Sequence, residues 1–517
     1  MKILFLMDSP EYLRFYDTVV EEMLARGHRV AIGVNNQRAR KPVGLEGLQA
    51  YADRISLLGV VPERRGIWAG VARSVRATMD FVRFLHPRLA AAPALRARIK
   101  RKILPRALHW LDRIPSVSPR TVRRIERVLA AAEQAIPLSR SAVNFLREQA
   151  PDVLLVSPLV TAASTQVDWV RAARACGIRT AVCIASWDNL TNKGLLRVEP
   201  DRVLVWNELQ RREAEEYHYV PAAKVVVTGA QLFDRWFARS VTRPREVFAR
   251  HVGLADGEPF VLFTGSSSFI SESSAEVAFV RRWVQALRTS SDPVLREIRV
   301  LVRPHPYNVH RWADDPTADL PGVTIFPRQS YNPVDEANRS DFFDSLYHCA
   351  AVVGINTSAM IEAAIVGRPV STLMAEEFSS TQEGTLHFHY LRPEQGGFLR
   401  IATTLDEHVA QLGACLRDPA LTRAETARFV ASFIRPHGVD RPATPMFADA
   451  VIAFGDEPAP RPAPPPVWTV AVRPVLLALA LPVLAIERVS DPDWARRWRK
   501  RIARVRDRWR RSFRQAW

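Results

Sequence analysis

A chain of 517 residues exceeds what one ordinary hydrophobic core supports, so three average domains or two large ones are expected. Its apolar content of 47% is that of a globular protein, and its formal charge of +18 narrows the macromolecular partners to nucleic acid or a membrane. Four cysteines (Cys176, Cys183, Cys349, Cys415) include no close pair, which argues against a disulfide framework or zinc cage and fits a reducing cytoplasm.

Residues 1–5 read as a first parallel strand. They meet Asp8 too early for a signal-peptide core, so the catalytic body is not expected to be exported. A helix over 16–26, ended by Gly27, and a strand over 29–34 complete a Rossmann-type opening. No Gly-x-Gly-x-x-Gly follows the first strand. The loop there carries Asp8 and Arg14, both candidates for a cleft. From Arg64 to Arg127 basic residues far outnumber acids, on segments such as 95–108 with apolar residues at helical spacing, and this marks a basic helical insertion over about 63–150. Parallel alternation resumes with strands at 153–156, 180–184, 202–206 and 224–228, and residues 229–237 leave the first domain.

A second set of strands starts at 259–264 and continues near Ile298, Val323 and Val352, with helices to about Phe454. The expected fold class is therefore α/β: two Rossmann-like domains facing a cleft, residues 1–240 for an acceptor and 241–455 for a nucleotide donor. Proline-rich residues 456–466 read as a linker. Residues 467–486 are apolar over about the 20 positions that span a bilayer, but Arg473, Pro474 and Pro482 interrupt them. After them, residues 494–517 hold eleven Arg or Lys against one acid, Asp507, with Trp494, Trp498, Ile502, Val505, Trp509 and Phe513 three or four apart. That is a basic amphipathic helix, with Trp494, Trp498, Trp509, Arg497 and Arg501 as expected contacts to an anionic membrane surface. A single crossing would separate this tail from the catalytic body, so embedding of 467–486 in one leaflet or as a re-entrant hairpin is expected, ahead of spanning and of a core helix packed on the body.

Two segments carry most of the chemistry. Arg303-Pro304-His305-Pro306 and Gly354-Ile355-Asn356-Thr357-Ser358 each follow an apolar strand, which puts both at carboxyl ends, where open α/β sheets bind ligands. A helix beginning at Thr357 would present unpaired N–H groups to an anion and set Ser358 and Glu362 on one face, hydroxyl to phosphate and carboxylate to ribose. Read alone, this is only a helix cap with a surface glutamate. His305, fixed by two prolines and two residues from Arg303, makes the pair a candidate diphosphate site. Gly265-Ser266-Ser267-Ser268 after the first strand of this domain is a further phosphate loop or an ordinary βα turn. Residues 379–389, with Thr381, Gln382 and Glu383, are expected to border the cleft. His387 and His389 should point the same way but lack a third ligand, and Asp314-Asp315 reads as a surface pair, so no metal is expected. In the first domain, residues 186–194 face the same cleft: Asp188 as a proton acceptor, Lys193 against phosphate, Trp187 and Asn189 beside the acceptor. The competing reading is an Asx-type turn with a surface lysine.

Over residues 1–454 these motifs resemble the GT-B glycosyltransferases and their relatives, including CDP-glycerol glycerophosphotransferases and bacterial capsule sialyltransferases. The resemblance implies that His305-Pro306 and Thr357-Ser358 hold the donor nucleotide and Glu362 its ribose. Residues 187–194, 201–206 and 225–234 look like the teichoic-acid enzymes, with Trp187-Asp188-Asn189 where those have tryptophan-histidine-glycine. Many retaining relatives carry a second glutamate eight positions away; here those positions are Gly354 and Val370, so an inverting, metal-independent displacement with Asp188 or Asp8 as base is implied. The expected activity is transfer of a sugar from a nucleotide-sugar to a lipid-linked or surface-glycan acceptor, without a cofactor, at the cytoplasmic face of the plasma membrane as a peripheral or monotopic protein. A CDP-glycerol-type transferase, a nucleotide-sugar epimerase and a nucleic-acid-binding protein are the alternatives. The last leaves the paired strand-end motifs unexplained, and nucleic acid is not expected as a partner.

Overall fold

A computed structural model describes residues 1–36, 46–254, 257–267, 270, 275–329 and 335–490. The expected tail contacts Trp494, Arg497, Trp498, Arg501 and Trp509, and Ser268 of the second-domain loop, lie outside the described residues. Two wholly parallel sheets organise the rest. The first contains β1 (Lys2–Met7), β2 (Arg29–Val34), β3 (Ile55–Val60), β4 (Val153–Ser157), β5 (Arg179–Cys183), β6 (Arg202–Val205) and β7 (Val225–Val227), in the order β3-β2-β1-β4-β5-β6-β7. The second contains β8 (Phe260–Thr264), β9 (Arg299–Arg303), β10 (Val323–Ile325), β11 (Ala351–Gly354), β12 (Val370–Leu373) and β13 (Arg400–Ala402), in the order β10-β9-β8-β11-β12-β13. The protein is thus an α/β molecule of two Rossmann-like domains.

Strands buried on both faces read as unbroken apolar runs, and β1, β4 and β8 are such runs. The edge strands β3, largely exposed, and β13, only three residues long, lack that signature and escape the sequence reading. Strand order reverses between β1 and β4 in one sheet and between β8 and β11 in the other. Ligands of doubly wound sheets bind outside the carboxyl ends at such reversals. There Asp8 to Arg14 follow β1, Gly265 follows β8, Pro304 and His305 follow β9, and Asn356 to Ser358 follow β11.

Between β3 and β4 stands the helical insertion, including α2 (Ile67–Val82), α3 (Pro93–Lys102) and α4 (Pro119–Ala135). Several of its arginines are structural rather than superficial. Arg76 reaches Glu133 of α4 at 2.9 Å and Asp168 of the first domain at 2.7 Å, all three buried. Asp168 is held down at about 2: burial works against its charge, and Arg76 and Arg64 outweigh burial. A buried pair of this kind is costly to break from one side, because the remaining ion stays unpaired.

Asp80 of α2 and Arg83 just beyond it fasten the chain after β4 and after β5. Asp80 accepts from the Leu195 and Ala163 amides at 2.8 and 2.7 Å and pairs with Arg197. Arg83 donates to the carbonyls of Gly194 and Thr191 at 3.0 and 3.1 Å. The insertion therefore holds the 186–194 segment in place.

The chain crosses between domains twice, and Asp234 ties the crossings together. It accepts from Arg435 at 2.9 Å and from the amides of Ala443 and Thr444 at 3.1 and 2.6 Å. The helix Ala443–Asp456 that follows packs on α1 (Asp17–Ala25), with Phe447 and Val451 in the same cluster as Ile3 and Phe5. It ends the second domain in sequence but belongs to the core of the first.

The proline-rich segment is seated on the body: the Ala463 amide donates to the Arg174 carbonyl at 3.0 Å, and a side chain at Gly177 would meet the Pro460 carbonyl at 2.9 Å. Next comes one continuous helix, Trp468–Ser490, running through Pro474 and Pro482. The re-entrant hairpin of the sequence reading is not formed. Contacts with α2, α4 and the 3-10 stretch Arg106–Arg113 support one side of this helix along its length, which makes a reversal at either proline unnecessary.

Candidate active site

A cavity of about 290 Å3 opens between the domains at the two strand-order reversals. The first domain supplies Arg14, Phe15, Ser186 and Trp187; the second supplies Gly265, Arg303, His305, Thr357, Ser358 and Glu362. Residues from the two principal motifs and from the first-domain loops therefore share one space.

The second-domain wall is the more open chemically. His305 Nδ1 accepts the Tyr307 amide at 3.2 Å, which leaves Nε2–H as the donor available to the cavity. Burial, reinforced by the nearby Arg14 cation, lowers its pKa to about 4, so the ring is neutral at pH 7. It offers phosphate a hydrogen bond, not a positive charge. The Arg303 guanidinium donates to Ser345 Oγ at 3.0 Å and lies 5.0 Å from the Phe342 ring centroid. Burial lowers its pKa to about 10, still far above neutrality. Glu362 is the most perturbed group here: burial raises it to about 8 against the opposing pull of Arg14 and Arg303. At pH 7 it is mainly the neutral acid, able both to donate to and to accept from a ribose hydroxyl.

The helix carrying Glu362 begins at Ala359, two residues later than expected, with Ser358 as its cap. It spans only Ala359–Ile365, and Thr357 Oγ1 accepts the Ala359 amide at 3.4 Å. Thr357 is thus partly spent on the turn, while the exposed Ser358 faces the cavity. Gly265 permits close packing, since a Cβ there would sit 2.7 Å from the His305 amide nitrogen. It lets the loops after β8 and β9 meet.

Other expected phosphate or cleft residues prove internal to the loops. Asn356 is buried and donates to Thr381 O at 2.8 Å. Ser266 is buried, its amide bonded to Glu276 at 2.7 Å and its carbonyl to Asn308 at 2.7 Å, while Ser267 is half-buried beside it and does not line the cavity. Thr381 Oγ1 donates to Ile270 O at 2.7 Å, and Gln382 is buried against the carbonyls of Ile355 and Leu373. Glu383 is exposed, 3.8 Å from Arg392. Thr381 and Gln382 therefore brace the second-domain loops from within, while Leu386 packs on the insertion. The two histidines also diverge. They lie on a 3-10 turn, so that His387 packs edge-on against Trp187, centroids 4.7 Å apart, while His389 binds Glu383 O at 2.8 Å. No cluster of three or more metal-ligating side chains occurs among the described residues.

Of the residues expected at the cleft in the first domain, Arg14 and Trp187 line the cavity, whereas Asp8, Asp188, Asn189 and Lys193 do not, and the cluster around Asp188 is held by its own bonds behind the wall. Asp188 accepts from Asn189 at 3.3 Å and Asn192 at 3.1 Å. Burial works to raise its pKa, but Lys193, His387 and hydrogen bonds from Ser186 and Asn192 outweigh burial and set it at about 2. Lys193 keeps its charge against burial through Tyr12 and Asp188. Asn189 spends its carbonyl on the Ala185 amide at 3.1 Å. Three participants escaped the sequence reading: Tyr12, which bonds Lys193; Arg98 of α3, 3.4 Å from Asn192; and Arg339, 3.5 Å from Asp17 across the domain boundary. Each owes its place to long-range packing, for which no local pattern existed.

No protein-family model matches the chain, and no curated protein matches it in sequence. Among solved structures it is similar to the UDP-GlcNAc 2-epimerase from Neisseria meningitidis bound to UDP-GlcNAc, at 12% identity and a TM-score of 0.48, covering 88% of this chain and 100% of that one. It is similar to a glycosyltransferase from Rickettsia africae at 9% identity, a TM-score of 0.49 and coverages of 88% and 99%. WaaG, a glycosyltransferase involved in lipopolysaccharide biosynthesis, gives 11% identity and 0.44 with coverages of 88% and 100%. These likenesses are of architecture alone.

Proposed function

We propose that the protein is a membrane-associated glycosyltransferase that binds a nucleotide-sugar in the interdomain cavity and transfers the sugar to a lipid-linked or surface-glycan acceptor. One observation carries this reading: Arg14 from the first domain and Arg303, His305 and Glu362 from the second converge on one cavity at both strand-order reversals. Two cations, a neutral ring N–H and a neutral carboxyl suit a diphosphate followed by a ribose. Arg14 and the His305 donor hold the diphosphate, Ser358 adds a hydroxyl, and Glu362 pairs with ribose hydroxyls. Charge that develops on the leaving diphosphate is met by fixed donors and needs no metal in this reading.

Behind the opposite wall, Asp188 at about 2 is a weak proton acceptor, because base strength falls with pKa. We assign it to holding Lys193 in place, and assign Asp8, in the loop after β1, as the base. Asp8 takes the acceptor proton as the acceptor oxygen forms its bond to the anomeric carbon. The bond from that carbon to the diphosphate oxygen breaks with its electron pair, giving an inverted product. The basic, tryptophan-bearing tail and the apolar helix before it support a membrane-borne acceptor, and hence a place on the cytoplasmic face of the plasma membrane.

Hydrolysis and transfer assays across UDP-, GDP-, CDP- and dTDP-sugars test the reading. One donor should be turned over, with Asp8→Asn inactive and Asp188→Asn partly active. Equal loss in both variants would restore Asp188 as a base candidate, and no turnover of any donor would remove the transferase.

A further inference from the structure

The helix Trp468–Ser490 is built the wrong way round for water. Its polar anchors face the protein: Arg473 donates to Ala135 O at 3.1 Å, Glu487 accepts the Arg106 amide at 2.5 Å, and the Ser490 carbonyl accepts from Arg106 at 3.2 Å. Leu476 and Ala480 are buried on that side, and Leu484 packs so closely on α2 that a Cβ at Gly70 would lie 2.8 Å from it. The opposite side is apolar and exposed, with Leu479 at 70% and Val475 at 59%, joined by Trp468, Val470, Leu481 and Ile486. Soluble surfaces rarely present so long an apolar strip.

We infer that this helix is a monotopic membrane seat: it lies in the plane of the lipid headgroups, fixed to the insertion, and does not cross the bilayer. The inference rests on the membrane association in the proposed function and adds its geometry. Lipid is the occupant favoured by charge complementarity. Exposed Trp110 and the exposed bases Arg106 and Arg113 lie on the 3-10 stretch that touches the helix, Arg488 is exposed at its end, and the eleven bases of 494–517 follow in sequence. An apolar strip bordered by arginine and tryptophan matches an anionic headgroup boundary. The fastening decides between lying and crossing. A helix held from Arg473 to Ser490 along α2, α4 and Arg106 cannot enter the hydrocarbon core end-on while the body stays in water. Because Arg83, just beyond the same α2, holds the Thr191 and Gly194 carbonyls, and Asp80 of α2 holds the Leu195 amide that follows, the seat also sets the orientation of the 186–194 segment to the membrane.

Flotation of the full-length protein with phosphatidylglycerol vesicles tests this. Wild type should float, and Val475→Glu or Leu479→Glu, both on the exposed side, should each lower partitioning by about tenfold or more while circular dichroism is unchanged. A disulfide between Gly70→Cys and Leu484→Cys, which locks the helix to α2, should leave flotation intact. Loss of flotation in the locked protein would overturn the seat in favour of crossing. Vesicle-independent self-association abolished by Leu479→Glu would overturn it in favour of a second copy of the chain. Nucleoside diphosphate titration of the wild-type protein without lipid separates the two readings: retained nucleotide binding without flotation sinks the seat alone, and flotation without nucleotide binding sinks the transferase alone.

Discussion

The two walls of the cleft are built on the same plan and spend their polar groups differently. On the second-domain wall, His305 keeps Nε2–H for the cavity and Glu362 is held near 8 by burial. Behind Ser186 and Trp187 of the first-domain wall, Asp188, Asn189, Asn192, Lys193 and Tyr12 are bonded to one another, and Asp188 is held at about 2. An ion pair already satisfied inside the protein has little to gain from a ligand, whereas a desolvated donor or neutral acid gains much. The difference teaches that a polar cluster at a strand end is not by itself a binding surface; what matters is which of its groups remain unspent.

The largest expected effect lies behind the first wall, in the loop after β1. Asp8→Asn should reduce kcat by about 10²–10⁴-fold, the usual worth of a positioned base, with donor affinity within about twofold of wild type. A small loss would transfer the role to another group. Next is the joint between the second-domain loops. Gly265→Ala drives a Cβ to 2.7 Å from the backbone nitrogen of His305, which cannot swing aside, so a cost of about 1–3 kcal/mol in urea denaturation is expected, with loss of nucleotide binding. Wild-type affinity in a stable Gly265→Ala protein would show that the loops do not need to touch.

Glu362→Ala should weaken nucleoside diphosphate binding about tenfold by calorimetry, the loss of about one good hydrogen bond to a buried partner. The pH response sharpens the comparison further. Because burial raises Glu362 to about 8, the neutral acid prevails below that pH and a carboxylate forms beside the diphosphate above it. Affinity should therefore fall as pH rises from 7 to 9, and Glu362→Gln should flatten that fall. His305, lowered to about 4, stays neutral from pH 5.5 to 7 and should add no titration there. A histidine-like rise in affinity toward pH 6 would mean that the ring binds as a cation.

Much of the fold was legible because parallel strands buried on both faces announce themselves as apolar runs, as β1, β4 and β8 do. Within the site, Arg303, His305, Thr357, Ser358 and Glu362 could be found because strand ends and prolines locate them in the chain. Asn356, Ser266 and Gln382 share that polar, strand-end appearance, but their side chains or backbones are spent on bracing neighbouring loops. Only packing distinguishes the two groups. Arg98 and Tyr12 were invisible for the opposite reason: each meets the 186–194 segment through tertiary contact, with no sequence spacing to mark it. The insertion's charge misled in part, since Arg76 and Arg83 are buried in bonds instead of facing a partner.

The central claim is that the interdomain cavity holds a nucleoside diphosphate between Arg14 and the His305–Glu362 wall. Titration calorimetry of UDP, GDP, CDP and dTDP into the wild-type protein, Arg14→Ala and His305→Ala tests it most directly. At least one diphosphate should bind wild type, and each variant should lose about tenfold in affinity for it, one substitution per wall. Absence of binding by all four, or binding that neither substitution alters, would contradict the account.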